Sequence, residues 1–363
     1  MKINFINTKM INSIKKQLGI ILLAASSCYV TTLVILPQLA IAEQVTSPDG
    51  TSCDGKVQNG KLNGQGVCKY PDGASYEGNF VDGKPDGKGT YTFADGGRYQ
   101  GEFRDGEFNG TGVWEFANGD RYEGEVLNGK LEGKGTFVSA SDTRYEGNFK
   151  AGQPSGKGAF ITAKGDRCEG EVTNGKLNST GYCEYSTGNK YEGQLRNGQR
   201  DGKGVYTLAN GDRYDGEFAN GKYNGRGVYT FAAGGRYDGE FKSGKFHGKG
   251  LREYANGNRY DGEFKNGEPD GQGVLNFADG NSYEGEFRNG KMDGRGVYSF
   301  TNGDRCEGEL KNGNFNGNVV CKYADGESYD GEFKNGKKHG EGVYIFADGT
   351  KVEGTWVEGK IKQ

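Results

Sequence analysis

Cysteine is the residue type whose spacing most invites chemistry in this sequence. Leaving Cys28 aside, there are six, Cys53, Cys68, Cys168, Cys183, Cys306 and Cys321, in three couples with a constant separation of 15. Thiols so placed suit disulfides, a metal centre, or a nucleophile beside a base. The last two lack their other members. The only histidines, His247 and His339, are 92 residues apart and stand where other copies of the same pattern carry Asn, Asp, Glu or Ser. That marks them as turn residues. No Ser/His/Asp or Cys/His set can be built from them, and two Cys without a nearby His make no four-ligand metal site.

Other patterns reduce to structure in the same way. Carboxylate pairs such as Glu123 and Glu125 recur along the chain, and a pair repeated that often reads as a solvated face rather than one acid–base centre. The recurring Gly-x-Gly lacks the strand–helix setting of a phosphate loop. The Asp-Gly turns lack the nine-residue spacing of calcium-binding β-helices. Asn109-Gly110-Thr111 and Asn178-Ser179-Thr180 fit the N-glycosylation sequon, which matters only in a eukaryotic secretory pathway. No catalytic, cofactor-binding or metal-binding residue is therefore expected, and no cofactor.

What positions the cysteines is a repeat. A unit of 23 residues begins at Cys53, Tyr76, Tyr99, Tyr122, Tyr145, Cys168, Tyr191, Tyr214, Tyr237, Tyr260, Tyr283, Cys306 and Tyr329, with a short last copy from Val352. No insertion interrupts it, so each copy must stack on the next with fixed geometry. Within a copy, Tyr76-Glu77-Gly78-Asn79-Phe80 and Gly89-Thr90-Tyr91-Thr92-Phe93 alternate aromatic and polar residues, the period of a half-buried strand. Asp-Gly and Asn-Gly between them supply tight turns. The expected fold class is all-β: an elongated single-layer ribbon of antiparallel β-hairpins, twisted and solenoid-like, with about 27 strands and a length of roughly 130 Å. Alternation puts positions 1, 3, 5, 14, 16 and 18 (Tyr, Gly, Phe, Gly, Tyr, Phe) on one face, where rings can lie on bare glycine backbone, and positions 2, 4, 15 and 17 on the other.

The six cysteines fall only at positions 1 and 16 of copies 1, 6 and 12. Those positions share a face on adjacent strands, within disulfide reach. Bonds Cys53–Cys68, Cys168–Cys183 and Cys306–Cys321 are expected, each closing a loop worth about 3 kcal/mol on the chain-entropy view. Buried free thiols are the alternative, but they do not explain arrival in pairs. Copies 6 and 12 also lose a standard glycine, at Ser179 and Val319, which suggests that the bonds offset weaker packing there.

The first 42 residues differ. Lys2, Lys9, Lys15 and Lys16 precede an apolar run from Leu18 to Leu36, and Ala40-Ile41-Ala42 follows. These are the parts of a secretory signal peptide, although the run is long enough for an uncleaved membrane anchor. Lipoprotein processing at Cys28 fits less well, since Ala25-Ser26-Ser27 lacks a large aliphatic residue. The chain thus divides into a leader over 1–42, a linker over 43–52 and the array over 53–363. An exported location, periplasmic or extracellular, agrees with paired cysteines. The leader holds four of the 46 basic residues and none of the 49 acidic ones, which leaves the remainder at -7. That balance offers nothing to nucleic acid.

The recurring residues, such as Tyr214-Asp215-Gly216-Glu217-Phe218 with Gly225-Arg226-Gly227-Val228-Tyr229, and Tyr329–Phe333 with His339-Gly340-Glu341-Gly342-Val343-Tyr344, resemble the MORN (membrane occupation and recognition nexus) repeat family over residues 53–363. The resemblance implies stacked β-hairpins and roles in scaffolding, protein interaction, dimerisation and contact with membrane lipid. Some relatives carry a lipid-kinase domain, and no kinase motif stands here. The expected function is a non-enzymatic exported scaffold that binds a partner protein along Tyr76, Tyr99, Tyr122, Tyr191, Tyr214, Tyr237, Tyr260, Tyr283, Tyr329, Trp114 and Trp356, and self-associates through its terminal copies, unless Trp356 caps the last one. Two alternatives stand. Lys and Arg at positions 6, 9, 13 and 23 would give a basic rim for anionic lipid. Rows of rings would stack on polysaccharide, an idea that requires the tyrosines to be exposed.

Overall fold

The computed structural model describes residues 42–362, so the expected leader lies, but for Ala42, outside the described residues. Among these are 29 strands, from β1 (Ala42–Thr46) to β29 (Lys360–Ile361), and no helix. They form two units. One runs to Gly188 and includes Gln194–Gln199; the other comprises Asn189–Gly193 and everything from Arg200. Within each unit, strands pair antiparallel with their neighbours in sequence, as the alternating pattern requires. The sheet of the first unit opens at β1, which pairs only with β2 (Ser52–Gln58), and that of the second closes on no further strand beyond β29. The hairpin-repeat fold is therefore present. One difference lies in residues 43–52, expected as a linker: Glu43 to Thr46 belong to β1 and pair with Gly55 to Ser52.

The copy that starts at Tyr214 shows how the sequence makes each hairpin. Its strands run over Arg213–Ala219 and Lys222–Thr230, joined by Asn220 and Gly221 at φ 50° and 79°. Two consecutive positive φ angles make the turn whose twist matches paired strands, and Asn-Gly adopts it at low cost. From the open end, Tyr214 faces Tyr229, Asp215 faces Val228 and Gly216 faces Gly227. The register then shifts, so that Phe218 faces Tyr223. The shift is a bulge centred on Gly225 at φ 67°, a conformation that glycine alone adopts freely.

This bulge corrects the expected faces. It adds a residue to the second strand and inverts the alternation there, so position 10 joins the aromatic face. Tyr223 stacks on Tyr214 at 4.0 Å, Phe108 on Tyr99 at 4.2 Å and Phe246 on Tyr237 at 3.9 Å. His247 and His339, expected in turns, likewise lie at position 11 inside strands Lys245–Tyr254 and Lys337–Ile345.

The core is a ring on two glycines. Tyr214 is fully buried, and so are its equivalents from Tyr76 to Tyr329. Below it, Gly216 and Gly227 face one another, and a Cβ on Gly227 would lie 2.6 Å from the Tyr214 ring. The ring's hydroxyl donates to the Glu217 carbonyl at 2.7 Å, and Tyr122 does the same to Glu125 at 2.7 Å. The buried hydroxyl thereby gains a hydrogen-bond partner, which explains tyrosine rather than phenylalanine at position 1. Glu217 closes the other side of the bulge: its carboxyl carbon lies 2.9 Å from where a Cβ of Gly225 would stand. In the copy from Tyr122, Glu125 also accepts the Lys134 amide at 2.9 Å. Glutamate at position 4 is thus a part of the hairpin and not simply a solvated charge.

Two consequences are measurable. Gly227→Ala forces the Tyr214 ring out of place and should cost about 1–3 kcal/mol. In the first copy, a Cβ on Gly66 would meet no tyrosine, only the Asp54 carbonyl at 3.1 Å and the Phe80 ring at 3.2 Å. Gly66→Ala should cost clearly less in paired urea melts, and equal losses would remove the ring-on-glycine account. Burial also raises the tyrosine hydroxyls, with Tyr145 and Tyr283 pushed up to about 12 from 10.0. A folded value above the unfolded one favours the neutral phenol, so that stabilisation is whole below pH 10 and drains as pH climbs from 10 towards 12. Tyrosinate absorbance from these rings should therefore stay absent near pH 10 and appear only towards pH 12 or with loss of β-structure. Smooth titration near pH 10 without unfolding would contradict it.

Hydrogen bonds along both edges lock copy to copy. The side chain at position 22 accepts a backbone N–H of the next copy: Asp120 from Ala140 at 2.9 Å, Asp212 from Ala232 at 2.8 Å, Asp304 from Ala324 at 2.9 Å. At the opposite edge, position 11 does the same: Asn63 from Asp82 at 3.1 Å, Asp293 from Asn312 at 3.2 Å.

Candidate binding face

Paired strands bring each cysteine couple directly opposite, Cys53 to Cys68, Cys168 to Cys183 and Cys306 to Cys321. All three couples are disulfide-bonded, with Cα atoms 4.1, 4.0 and 4.0 Å apart. With the tyrosine gone, its place over the glycines is refilled. Leu62 approaches Gly55 and Leu177 approaches Gly170. In copy 12, Val319 stands in place of the glycine and is buried. Val319 is therefore a side chain filling vacated space, not the weakness it was expected to be. Ser179 does carry strain, holding φ 121° at the bulge position that glycine fills elsewhere.

The expected binding residues lie elsewhere than supposed. Tyr76, Tyr99, Tyr122, Tyr191, Tyr214, Tyr237, Tyr260, Tyr283 and Tyr329 are at most 1% exposed, Trp114 is 2% and Trp356 is 9%. All are core, and the tyrosines are so because only there can the ring cover both glycines. Polysaccharide stacking on these tyrosines loses its platform for the same reason. The sequons fare similarly, since the Asn109 and Asn178 side chains both accept edge bonds, from Asn128 and Asn197.

Accessible rings come instead from positions 10, 16 and 18, and they differ between the units. In the first unit, position 16 is buried in Tyr91, Trp114, Phe137 and Phe160. In the second, the same position is half-buried in Tyr206, Tyr229, Leu275, Tyr298 and Tyr344. Position 18 there adds Phe231, Tyr254 and Phe277, half-buried, and Phe300 and Phe346, about two-fifths exposed. The hydroxyls are held at the rim: Asn189 donates to Tyr206 at 2.8 Å, Tyr229 donates to Asp212 at 2.8 Å, and Tyr344 donates to Glu327. The Ala232 amide and the Tyr229 hydroxyl hold the Asp212 carboxyl below its ordinary value.

Three cations sit among these rings. Arg200 replaces the apolar residue at position 10, and its guanidinium lies 4.1 Å from the Tyr206 ring centre and 5.4 Å from that of Phe218. Arg252 replaces the aromatic at position 16 and lies 3.6 Å over Phe231. Lys338 is surrounded by Tyr323, Tyr329, Tyr344 and Trp356 at 5.2, 4.8, 4.3 and 5.2 Å. Burial pulls the Arg252 and Lys338 values down. Sequence alternation missed position 10 entirely; a cation breaking an otherwise apolar column was the signal available.

The opposite face is polar and internally paired. Position 23 arginines meet position 2 acids, Arg121 with Glu123 at 2.7 Å and Arg213 with Asp215 at 2.8 Å, while Lys337 reaches Glu358 at 2.6 Å. Such exposed pairs add little stability, but they place an acid beside these basic side chains of the rim that would face anionic lipid.

The family described as MORN repeat matches thirteen consecutive segments, from residues 53–75 to residues 329–351. No curated protein matches the sequence. Among solved structures, the wild-type TCP10 domain of Danio rerio CPAP matches with 13% identity over 67% of this chain and 99% of its own, at a TM-score of 0.28. The TCP domain of SAS-4 (dCPAP) in complex with a proline-rich motif of Ana2 (dSTIL) of Drosophila melanogaster matches with 12% identity over 57% of this chain and 96% of its own, at 0.26. Scores this low carry no argument about function.

Proposed function

Because the chain belongs to the MORN repeat family, we propose that it is a non-enzymatic scaffold, exported to an oxidising compartment, that holds a partner protein on the aromatic face of residues 200–363. The observation that carries this reading is the row of half-buried rings at positions 16 and 18 there, beside a first unit in which position 16 is closed. Partly open aromatic side chains held by a rigid sheet are what protein interfaces use as anchors. Export is supported by the leader-like pattern and by three disulfides that a reducing cytosol would not keep.

The test is capture from an envelope fraction by the full oxidised chain and by the triple variant Tyr206→Ser, Tyr229→Ser, Tyr298→Ser. A protein retained by the first and lost by the second, with both variants melting cooperatively, supports the reading. Unchanged capture, or binding only to anionic vesicles with a steep loss in salt, would replace it with the lipid alternative.

A further inference from the structure

Arg200 and Arg252 are out of place on an apolar face. Position 10 carries Tyr223 in the following copy, and position 16 carries Leu275 in the copy after Arg252. Among the described residues neither arginine forms an ion pair, and the Nη1 atom of each is buried without a hydrogen-bond partner. Arg200 places only its Nη2, on the Gly221 carbonyl at 2.8 Å. Cation–π contact offsets part of the desolvation, but it leaves those N–H groups unsatisfied. Lys338 differs, since Glu327 lies close enough to act on its charge.

We infer that the two guanidinium groups are receptors for carboxylates of the bound partner, so that the face of residues 200–363 selects an extended acidic segment with apolar side chains between its acids. This rests on the scaffold reading above and adds the partner's chemistry. Both residues are half-buried, and a planar guanidinium fork at the edge of an aromatic face suits a carboxylate. A net acidic chain that places these two cations on this face repels acidic segments elsewhere and admits them here. Anionic lipid is the less suited occupant, because it calls for a dense basic cluster. Arg200 on β15 (Gln199–Thr207) and Arg252 on β19 (Lys245–Tyr254) are four strands apart, which across the strands alone separates them by about 19 Å. An extended peptide covers that in about six residues, which sets the least spacing of the two acids.

The probes are synthetic peptides with two Glu six positions apart among Leu, Phe and Thr, their Glu→Gln counterparts, and phosphatidylglycerol vesicles. The proteins are the full oxidised chain and the double variant Arg200→Tyr, Arg252→Leu, which copies neighbouring repeats and so keeps the fold. The Glu peptide should bind the natural chain roughly 30-fold or more tighter than it binds the variant, with the Gln peptide unchanged between the two. Equal binding of Glu and Gln peptides, no binding of either, or vesicle binding that the variant abolishes would each overturn the inference. An envelope protein captured equally by the natural chain and this variant, yet lost by the tyrosine triple variant, would overturn it and leave the scaffold reading intact.

Discussion

Tyr214→Ala should lower the stability of the surrounding hairpins by about 3–5 kcal/mol, and Tyr214→Phe by about 1 kcal/mol. The large figure follows from what the ring covers. It is fully buried, spans Gly216 and Gly227, and stacks on Tyr223 at 4.0 Å while meeting Phe218 and Phe241 edge-on at 5.1 and 4.9 Å. Alanine leaves bare backbone below and unsupported rings around, and the glycines cannot collapse into the space. The small figure isolates the hydroxyl, which bonds the Glu217 carbonyl at 2.7 Å. Urea melts and amide exchange over Arg213–Thr230 check both. A Phe variant as damaged as the Ala variant would mean that the hydroxyl, and not the ring, organises the core.

Reduction of the three disulfides should cost about 3 kcal/mol in each stapled hairpin on the chain-entropy view. Each bond links residues 15 apart within one hairpin, so the loss falls on copies 1, 6 and 12 and not on the array at large. Repeat arrays add up local stabilities and nearest-neighbour terms, so the effect should show as early exchange of Ser52–Lys69, Arg167–Glu184 and Arg305–Lys322. Intact mass gives the control: six hydrogens fewer before reduction, six alkyl groups gained only after it. Six thiols alkylated without reductant would end both the disulfide assignment and the support for export.

Period, hairpin and cysteine pairing were legible because each depends on residues within one copy. Tyr and Cys at positions 1 and 16 announce a shared face, and Asn-Gly announces the turn. What escaped depends on the bulge. Gly225 and its equivalents look like turn glycines in a row, and nothing in the letters says that they insert a residue and carry Tyr223, Arg200 or Lys338 to the aromatic side. The same holds for the tyrosines read as a surface. Alternation tells which way Tyr214 points, but only the facing glycine pair tells that the ring lies flat and sealed. Asn63, Asp212 and Asp304 are ordinary turn formers by type, and their reach into the following copy is a matter of three-dimensional stacking. The open row in the second unit is likewise set between copies rather than inside one.

The edge bonds give the array an arrow. Where position 11 and position 22 side chains accept a backbone amide across the edge, that amide belongs to the following copy. A copy whose successor is missing is left with a carboxylate or amide oxygen that water satisfies readily. A copy whose predecessor is missing is left with bare turn amides. Growth from the amino end therefore always offers a finished template to the hairpin arriving next, while erosion from that end strips the caps from whatever remains. Trimming successive copies from the carboxyl side should thus be borne far better than trimming as many from the other.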